Sequence, residues 1–417
     1  MIALVDANAY YAAAECVYNP ALRGQGIAIL SNNDGCVVAC NQIAQQAGVK
    51  KFKPYFEMKH LANRVKFLSS NYELYGHISD QMMKVIGEHA PEQFIYSIDE
   101  SFLNFKGCKD VDFRQTAMTL RRQVWRRCRI PVSVGIGPTL TLAKCASHAS
   151  KRLGYNGICV LDSLNITRNV LSQMDVGDVW GIGARLKARL NTEMRIFKAE
   201  QLAALSPSLA RKSYSVDVER IVHELNGVST RVWDESARAD KQQIFSTRSV
   251  GQRIENVEEL KEALISHVAI AAAKLRKQKS AAGTLMLFAH SSSFDKSDGG
   301  IGFRHIHHFK TRCDDTLVMS QIASRVADLK FQSRLRYYKI GVGLLDLSSQ
   351  TNAQIDMFDE QLGNPQLMSI LDSLNEKYGR DTLFCASQGI KPRWAMRREM
   401  LSPAYISDWR DIPIIKT

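Results

Sequence analysis

Three acidic side chains stand where predicted strands begin or end. Asp6 follows the apolar run 2–5, and Asp99 and Glu100 occupy the tight turn after a predicted strand 94–98. Carboxylates are hard oxygen ligands that suit Mg²⁺, and three of them can hold two ions about 3.5–4 Å apart, a spacing that serves phosphoryl transfer. Each acid alone has a plainer interpretation: Asp6 could cap the next helix, and Asp99-Glu100 could be an ordinary acidic hairpin turn.

The elements around these acids follow an order that brings them together. The hydrophobic pattern predicts β-α-β-β-α-β, with a small mixed segment inserted at 12–70 and a helix over 8–18. The six elements are a strand 2–5, a helix 71–89, strands 94–98 and 101–105, a helix 112–128 and a strand 132–136. In this ferredoxin-like order the third strand lies antiparallel beside the first. Asp6 is then expected beside Asp99-Glu100, and this convergence favours a metal site over the plainer interpretations.

The same order is predicted again further along the chain. The elements are a strand 243–250, a helix 256–279, strands 285–290 and 303–309, a helix 314–329 and a strand 335–347. A helical segment, 166–235, separates the two repeats, and little regular pattern follows residue 350. The fold class is therefore predicted to be α+β with several domains.

Composition narrows the class of protein. The 417 residues carry a formal net charge of +13, which favours a polyanionic partner such as nucleic acid. No apolar run is long enough to span a bilayer, and the N-terminus lacks the pattern of a signal peptide, so a cytoplasmic protein with no membrane partner is expected. The nine cysteines are scattered without a CxxC pair, which favours reduced thiols over zinc ligands or disulfides.

Several motifs make the chain resemble the Y-family DNA polymerases. Asp6-Ala-Asn-Ala-Tyr-Tyr-Ala and Tyr96-Ser-Ile-Asp-Glu-Ser-Phe are similar to the two metal-binding motifs of that family. Leu30-Ser-Asn-Asn-Asp-Gly-Cys, Ser69-Ser-Asn-Tyr-Glu-Leu-Tyr and Trp394-Ala-Met-Arg-Arg, followed by Leu401-Ser-Pro, resemble its UmuC-like branch. The resemblance covers essentially the whole chain. It implies an error-prone, template-directed DNA polymerase that carries out translesion synthesis in the SOS response.

The resemblance also implies a right-hand polymerase architecture. Its parts are a ferredoxin-like palm at 1–11 and 71–165, small fingers at 12–70, a helical thumb with a helix-hairpin-helix at 166–235, a βαββαβ little finger at 242–350 and a C-terminal tail at 351–417.

The family motifs assign roles to individual residues. Asp6, Asp99 and Glu100 would be the catalytic metal ligands, with the carbonyl of Ala7 completing one shell around two Mg²⁺ ions. Tyr11 resembles the steric gate, an aromatic ring beneath the incoming sugar that excludes a ribose 2′-hydroxyl, and Tyr10 would pack beside it at the nucleotide. The alternative is that both tyrosines are packing residues of a helix face.

Lys144 matches a family lysine that contacts the triphosphate of the incoming deoxynucleotide. It follows the buried strand and glycine turn of Val134-Gly-Ile-Gly-Pro, and a turn of this kind can offer backbone N–H groups to an anion. The alternative is a solvated helix lysine. Gln42, Gln45 and Leu140 depart from the family pattern, since relatives carry phosphate-binding or basic side chains there.

Two regions are expected to contact primer-template DNA. Val179-Trp-Gly-Ile-Gly183 resembles a helix-hairpin-helix, in which Gly181 and Gly183 let backbone amides approach a phosphate and Lys187 adds charge. The segment 242–350 holds 16 Lys and Arg against 10 Asp and Glu, an excess suited to tracking phosphates, although a solvated surface explains part of it.

The tail carries the predicted protein contacts. Gln354, Ile355, Asp356, Met357 and Phe358 resemble the clamp-binding peptide of bacterial polymerases. A sliding clamp, a processed UmuD-like dimer and RecA are therefore expected partners. Trp394 with Arg397 and Arg398 could form a docking surface or simply pack against the body of the protein.

Three other functions compete with this one. A stand-alone polymerase of the DinB type would lack the Ser-Asn-Asn-Asp-Gly loop and the Trp-Ala-Met-Arg-Arg tail. A non-catalytic DNA-binding scaffold would not need all three acids intact. A nucleotidyl cyclase shares palm chemistry but would not need the helical segment or the basic second repeat.

Overall fold

The computed structural model describes residues 1–231, 240–295, 299–349, 363–379, 381–390 and 392–412. The chain divides into two compact units. The catalytic unit comprises Met1–Glu235 and Met400–Thr417, and the second unit comprises Ser236–Glu399. All nine cysteines are free thiols.

The catalytic unit is built around a five-stranded sheet. Its elements are β1 (Ile2–Ala7), α1 (Tyr10–Tyr18), β2 (Gly26–Leu30), β3 (Val37–Cys40), α2 (Gln42–Gln46), α3 (Tyr55–Met58), β4 (Val65–Ser69), α4 (Tyr72–Gly87), β5 (Glu92–Ile95), β6 (Glu100–Asn104), α5 (Phe113–Cys128), β7 (Val132–Gly137), α6 (Leu140–Arg152) and β8 (Ile158–Val160). The sheet order is β5-β6-β1-β7-β8. Strands β1, β5, β6 and β7 match the predicted ferredoxin-like order. Strand β8, which the sequence did not predict, adds a fifth strand parallel to β7.

Alternation along β1 explains how this sheet receives a helix on each side. Ala3 and Val5 point into a core shared with α4 and α5, whereas Leu4 points to the opposite face with Phe102 and Leu140. Because side chains alternate across a strand, Asp6 shares the face of Leu4. The same rule places Glu100 on the face of Phe102.

Helix α6 lies very close to this second face at one glycine. A Cβ at Gly135 would come within 2.0 Å of the backbone nitrogen of Ser147, so only glycine fits there. This close approach brings the basic side chains of α6 to the sheet edge that carries the acids.

The inserted segment forms a small separate sheet. Its order is β3-β2-β4, with β2 and β4 parallel and β3 antiparallel. The segment that follows β8 is helical, as predicted, and contains α7 (Leu164–Gln173), α8 (Ala184–Met194), α9 (Ala199–Ala203), α10 (Pro207–Ser213) and α11 (Val216–Leu225).

The second unit confirms the predicted repeat of the element order. It contains β9 (Ile244–Ile254), α12 (Val257–Lys277), β10 (Ser280–His290), β11 (Gly302–Cys313), α13 (Thr316–Lys330), β12 (Tyr337–Ser349) and α14 (Pro365–Tyr378). Its sheet order is β11-β10-β12-β9, so its first strand lies at an edge and pairs with the last strand. The five-stranded sheet of the catalytic unit instead places its first strand, β1, in the centre.

The expectation of little regular structure after residue 350 was wrong. Helix α14 begins with Asn364 as its N-cap, whose side chain accepts a hydrogen bond from Leu367 N, and with Pro365 in the first turn. This Asn-Pro pair is a recognised helix-start signal. Trp394 is 6% exposed and belongs to the core of the second unit beside His267, which supports packing rather than docking for this residue.

Candidate active site

Two of the three acids predicted to converge, Asp6 and Glu100, lie opposite each other at one edge of the five-stranded sheet. Asp6 and Glu100 are direct partners in the antiparallel pairing of β1 with β6. Asp99 precedes Glu100 by one residue, and its backbone carbonyl accepts a hydrogen bond of 2.9 Å from Ala7 N. Ala7 therefore lies against the same turn.

Two lysines of α6 neutralise this pair of carboxylates. Lys151 Nζ lies 2.5 Å from Asp6 Oδ1, and Lys144 Nζ lies 2.9 Å from Glu100 Oε2. Burial raises the pKa of Asp6 from its ordinary 3.8 to about 6, the attraction of Lys151 opposes the rise, and repulsion from Glu100 adds to it. The sheet edge thus concentrates negative charge in a poorly solvated place, which makes it a strong site for cations.

Asp99 is bonded within its own turn and influences the two tyrosines that follow Asp6. Its Oδ1 accepts a hydrogen bond of 2.6 Å from Ser97 Oγ, and its charge contributes to the raised pKa of Tyr10 and Tyr11, whose main cause is burial. Among the described residues, no three His, Cys, Asp or Glu side chains already converge as a metal-ligand group. Asp6 and Glu100 each pair instead with a lysine ammonium group.

A cleft of about 310 Å³ opens over the carboxylates. Its wall includes four residues that sequence reasoning did not assign to the site: His148, Lys151, Asp178 and Trp180. Lys151 had a usable signal, because it lies seven residues after Lys144 and two helical turns place such residues on one face. Asp178 and Trp180 come from the segment before α8, and no local pattern links them to the acids.

Lys144 is the most enclosed basic group of the cleft. Besides bonding Glu100, its Nζ lies 4.4 Å from the centroid of the Tyr96 ring and 5.4 Å from that of Trp180. Leu140, where relatives carry a basic residue, is buried in the apolar cluster with Leu4 and Phe102. Its apolar character is therefore a packing requirement in this chain.

The two tyrosines after Asp6 have different surroundings. Tyr10 is 3% exposed, and its hydroxyl donates a 2.5 Å hydrogen bond to the carbonyl of Tyr75. Tyr11 is partly exposed, and its ring stacks on that of Tyr75 with centroids 4.4 Å apart and planes 16° apart. Tyr10 is thus a buried supporting residue, while Tyr11 remains partly exposed beside it.

The predicted DNA-binding turn has a backbone that only glycine tolerates at one position. Gly181 has φ of +99°, and a Cβ there would come within 2.9 Å of Ile221 Cδ1. Gly183 is the N-cap of α8, with φ of −77° and open space where a Cβ would stand. Lys187 pairs with Asp175 at 2.8 Å and holds the pKa of that carboxyl below its usual range.

Two further predictions concern the clamp-binding peptide and membrane association. The predicted clamp-binding residues 354–358 fall outside the residues that the structure describes. In the part of the chain that it does describe, every helix is too short or too polar to cross a membrane.

Comparison with solved structures defines the class of fold. A Y-family DNA polymerase chimera of Dbh and Dpo4 superposes with a TM-score of 0.67 at 21% identity, over 84% of this chain and 100% of that one. A ternary complex of Dbh superposes with a TM-score of 0.54 at 21% identity over the same shares. The fold is that of a Y-family DNA polymerase.

Sequence comparison defines the family. The model described as the impB/mucB/samB family matches residues 5–148, its C-terminal domain matches 241–357, and a domain of unknown function, DUF4113, matches 365–415. Over 100% of both chains, this protein is 38% identical to UmuC of Salmonella typhimurium strain LT2 and 37% identical to SamB of Salmonella typhimurium. DNA polymerase IV of Oceanobacillus iheyensis is 24% identical over 95% of both chains. The chain belongs to the impB/mucB/samB family of error-prone translesion DNA polymerases.

Proposed function

We propose that this DNA-directed DNA polymerase adds deoxynucleotides at a catalytic centre formed by Asp6, Asp99 and Glu100. The pairing of Asp6 directly opposite Glu100, with Asp99 in the adjoining turn, is the feature that supports this assignment most strongly. Primer-template DNA and a deoxynucleoside triphosphate are the substrates, in keeping with structural neighbours that include a ternary complex of Dbh.

The donor set fits divalent metal. Asp6 and Glu100 are both paired with ammonium groups, so the sheet edge already binds positive charge, and hard carboxylate oxygens suit Mg²⁺. The three carboxylates and the Ala7 carbonyl would hold two Mg²⁺ ions. When bound, such ions supply Lewis-acid activation and stabilise charge on the attacking and leaving oxygens.

The surrounding residues orient the nucleotide. Lys144 and Lys151 line the cleft above the carboxylates. With Mg²⁺ at the carboxylates, their ammonium groups would pair with phosphate oxygens. Tyr11 lies beside the acid turn with one ring face supported by Tyr75, which suits a steric gate for the sugar. Gln45 cannot add positive charge, since its side-chain amide is neutral, and that amide already donates to the carbonyl of Cys40.

Further contacts follow from the same family. The turn of Gly181 and Gly183 would approach the DNA backbone through its amides. Residues 354–358 would bind the sliding clamp, and a processed UmuD-like dimer and RecA would act as accessory partners.

Substitution of the acids tests the catalytic centre. Asp6→Asn, Asp99→Asn and Glu100→Gln should each lower primer extension by a factor of about 10³ or more, because each removes a charged metal ligand from the reacting phosphate. Binding of primer-template, measured by fluorescence anisotropy, should change little. Glu92→Gln is the control, since Glu92 lies exposed on β5 of the same sheet. Near-normal extension by one of the three variants would contradict the role of that acid.

A further inference from the structure

The C-terminal strap, defined here as Met400–Tyr405, adds an extended layer to the catalytic unit. Ser69 N donates to the carbonyl of Met400 at 2.9 Å, and Met400 N donates to Ser69 Oγ at 3.0 Å. Farther along the strap, the ring of Tyr405 stacks on Tyr18 with centroids 5.5 Å apart. These contacts tie the strap to the end of β4 and to α1.

At the centre of the strap, Ser402 contacts a buried polar side chain. It is 8% exposed, and its Oγ accepts a 2.9 Å hydrogen bond from Asn71 Nδ2. Asn71 is also the N-cap of α4. Its backbone carbonyl accepts a 3.0 Å hydrogen bond from Tyr75 N, so Asn71 joins the strap to the turn of α4 that carries Tyr75.

Glu15 supports the aromatic cluster under the nucleotide site from a second direction. It is 0% exposed, and its Oε1 accepts a 2.7 Å hydrogen bond from the hydroxyl of Tyr75. The Tyr75 ring is the one that stacks on Tyr11 at 4.4 Å. Two lines of contact therefore converge on Tyr75, one from Ser402 through Asn71 and one from Glu15, and Tyr75 stacks on Tyr11.

A carboxyl group buried at this position is costly unless it is hydrogen-bonded, and an apolar side chain would fill the space at lower cost. The hydroxyl of Tyr75 is equally buried and needs an acceptor. Pairing the two groups fixes the direction of the Tyr75 side chain, and the ring of Tyr75 then limits the orientations open to the Tyr11 ring.

We propose that Glu15 and Ser402 are positioning residues for Tyr11, so that the C-terminal strap sets how strictly ribonucleotides are excluded. The inference rests on the proposed role of Tyr11 as the steric gate. Neither residue touches the nucleotide; both act by holding Tyr75 against the gate.

The test measures kcat/KM for single insertion of a deoxynucleotide and of the matching ribonucleotide by the full chain. Glu15→Leu removes the acceptor, Tyr75→Phe removes the donor, and Ser402→Ala removes the strap contact. Each should raise ribonucleotide insertion about 3- to 10-fold, the effect of one lost hydrogen bond, with deoxynucleotide kcat within about 2-fold of the parent. Glu15→Gln keeps an acceptor and should retain the parent discrimination.

The controls separate the possible failures. Ser407→Ala alters an exposed serine just beyond the strap and should behave as the parent. If Tyr11→Ala loses discrimination while Ser402→Ala and Tyr75→Phe keep it, the positioning role is overturned and the gate stands. If Tyr11→Ala itself leaves discrimination unchanged, the gate assignment fails and the positioning role fails with it. Melting temperatures identify a Glu15→Leu variant that does not fold, in which case Ser402→Ala and Tyr75→Phe decide the outcome.

Discussion

At the scale of single residues, the site is governed by a balance of charges around Asp6. Burial and the neighbouring Glu100 disfavour its ionised form, and Lys151 restores it. A divalent cation carries twice the charge of an ammonium group and attracts a carboxylate more strongly at the same distance. The lysines therefore compensate the charge of the acids in the folded protein. Under the proposed function, Mg²⁺ would replace them at the carboxylates, and their ammonium groups would pair with phosphate.

This balance predicts the same consequence for the two lysines. Lys144→Ala and Lys151→Ala should each raise the KM for deoxynucleotide about 10-fold or more, because each removes a charge-assisted contact to the triphosphate worth about 1.5–3 kcal/mol. Steady-state single-nucleotide insertion gives the KM. Lys106→Ala, which removes the same charge from an exposed turn of the catalytic unit, serves as the control.

A silent Lys144→Ala combined with a strong effect of Lys151→Ala would show that the family motif was carried to the wrong lysine. The opposite result would leave Lys151 as a residue that only compensates the charge of Asp6.

At the scale of secondary-structure elements, close packing decides where functional groups lie. Helix α6 reaches the acids because Gly135 has no side chain to hold it away from β7. The turn before α8 depends on a second glycine, Gly181, whose left-handed conformation redirects the chain beside Ile221.

The two glycines of that turn are predicted to differ. Gly181→Ala should lower the free energy of unfolding by about 1–2 kcal/mol or more, because an L-residue is strained at this φ and its Cβ meets Ile221. Gly183→Ala should leave thermal stability nearly unchanged, since its φ is ordinary and the space is open.

Primer-template affinity provides the functional side of this comparison. Gly183→Ala should weaken it several-fold at fixed salt, because a methyl group would separate the backbone amides from the DNA phosphate. Anisotropy titrations check the affinity and thermal denaturation checks the stability. Unchanged affinity in a folded Gly183→Ala variant would remove this turn from the DNA interface.

At the scale of the whole molecule, the chain passes between its two compact units twice. It enters the second unit after Glu235 and returns to the catalytic unit at Met400. The tail accordingly contributes to both: Trp394 is part of the core of the second unit, and the C-terminal strap packs on the catalytic unit. The DUF4113 region, residues 365–415, is thus integrated into the fold in the part that the structure describes.

Recruitment to a sliding clamp is predicted to depend on residues 354–358 of the tail. Alanine at Gln354 and Phe358 should weaken clamp binding at least about 10-fold, because anchor side chains carry most of the energy of a short peptide in a pocket. Surface plasmon resonance against the clamp measures the affinity, and extension without the clamp should stay constant. Gln366→Ala, an exposed position on α14, is the control. Equal clamp affinity of the double variant would contradict this prediction.

The sequence by itself determined the order of elements and, from that order, the meeting of the acids. Period-two alternation and helical spacing are local signals, and the ferredoxin-like order has few ways to pair its strands, so the order of elements alone places Asp6 beside the turn of Asp99 and Glu100. The start of α14 was also encoded locally, in Asn364-Pro365, and was overlooked.

Only the tertiary structure decided which residues surround that centre. Lys151, Trp180 and Asp178 reach the cleft because α6 and the segment before α8 pack beside β1, and Ser402 reaches Asn71 across hundreds of residues of chain. Such contacts depend on how whole elements pack in three dimensions, and the identities of the residues along the chain carry no local trace of them. The different strand order of the second sheet has the same origin, since one order of elements is compatible with more than one pairing of strands.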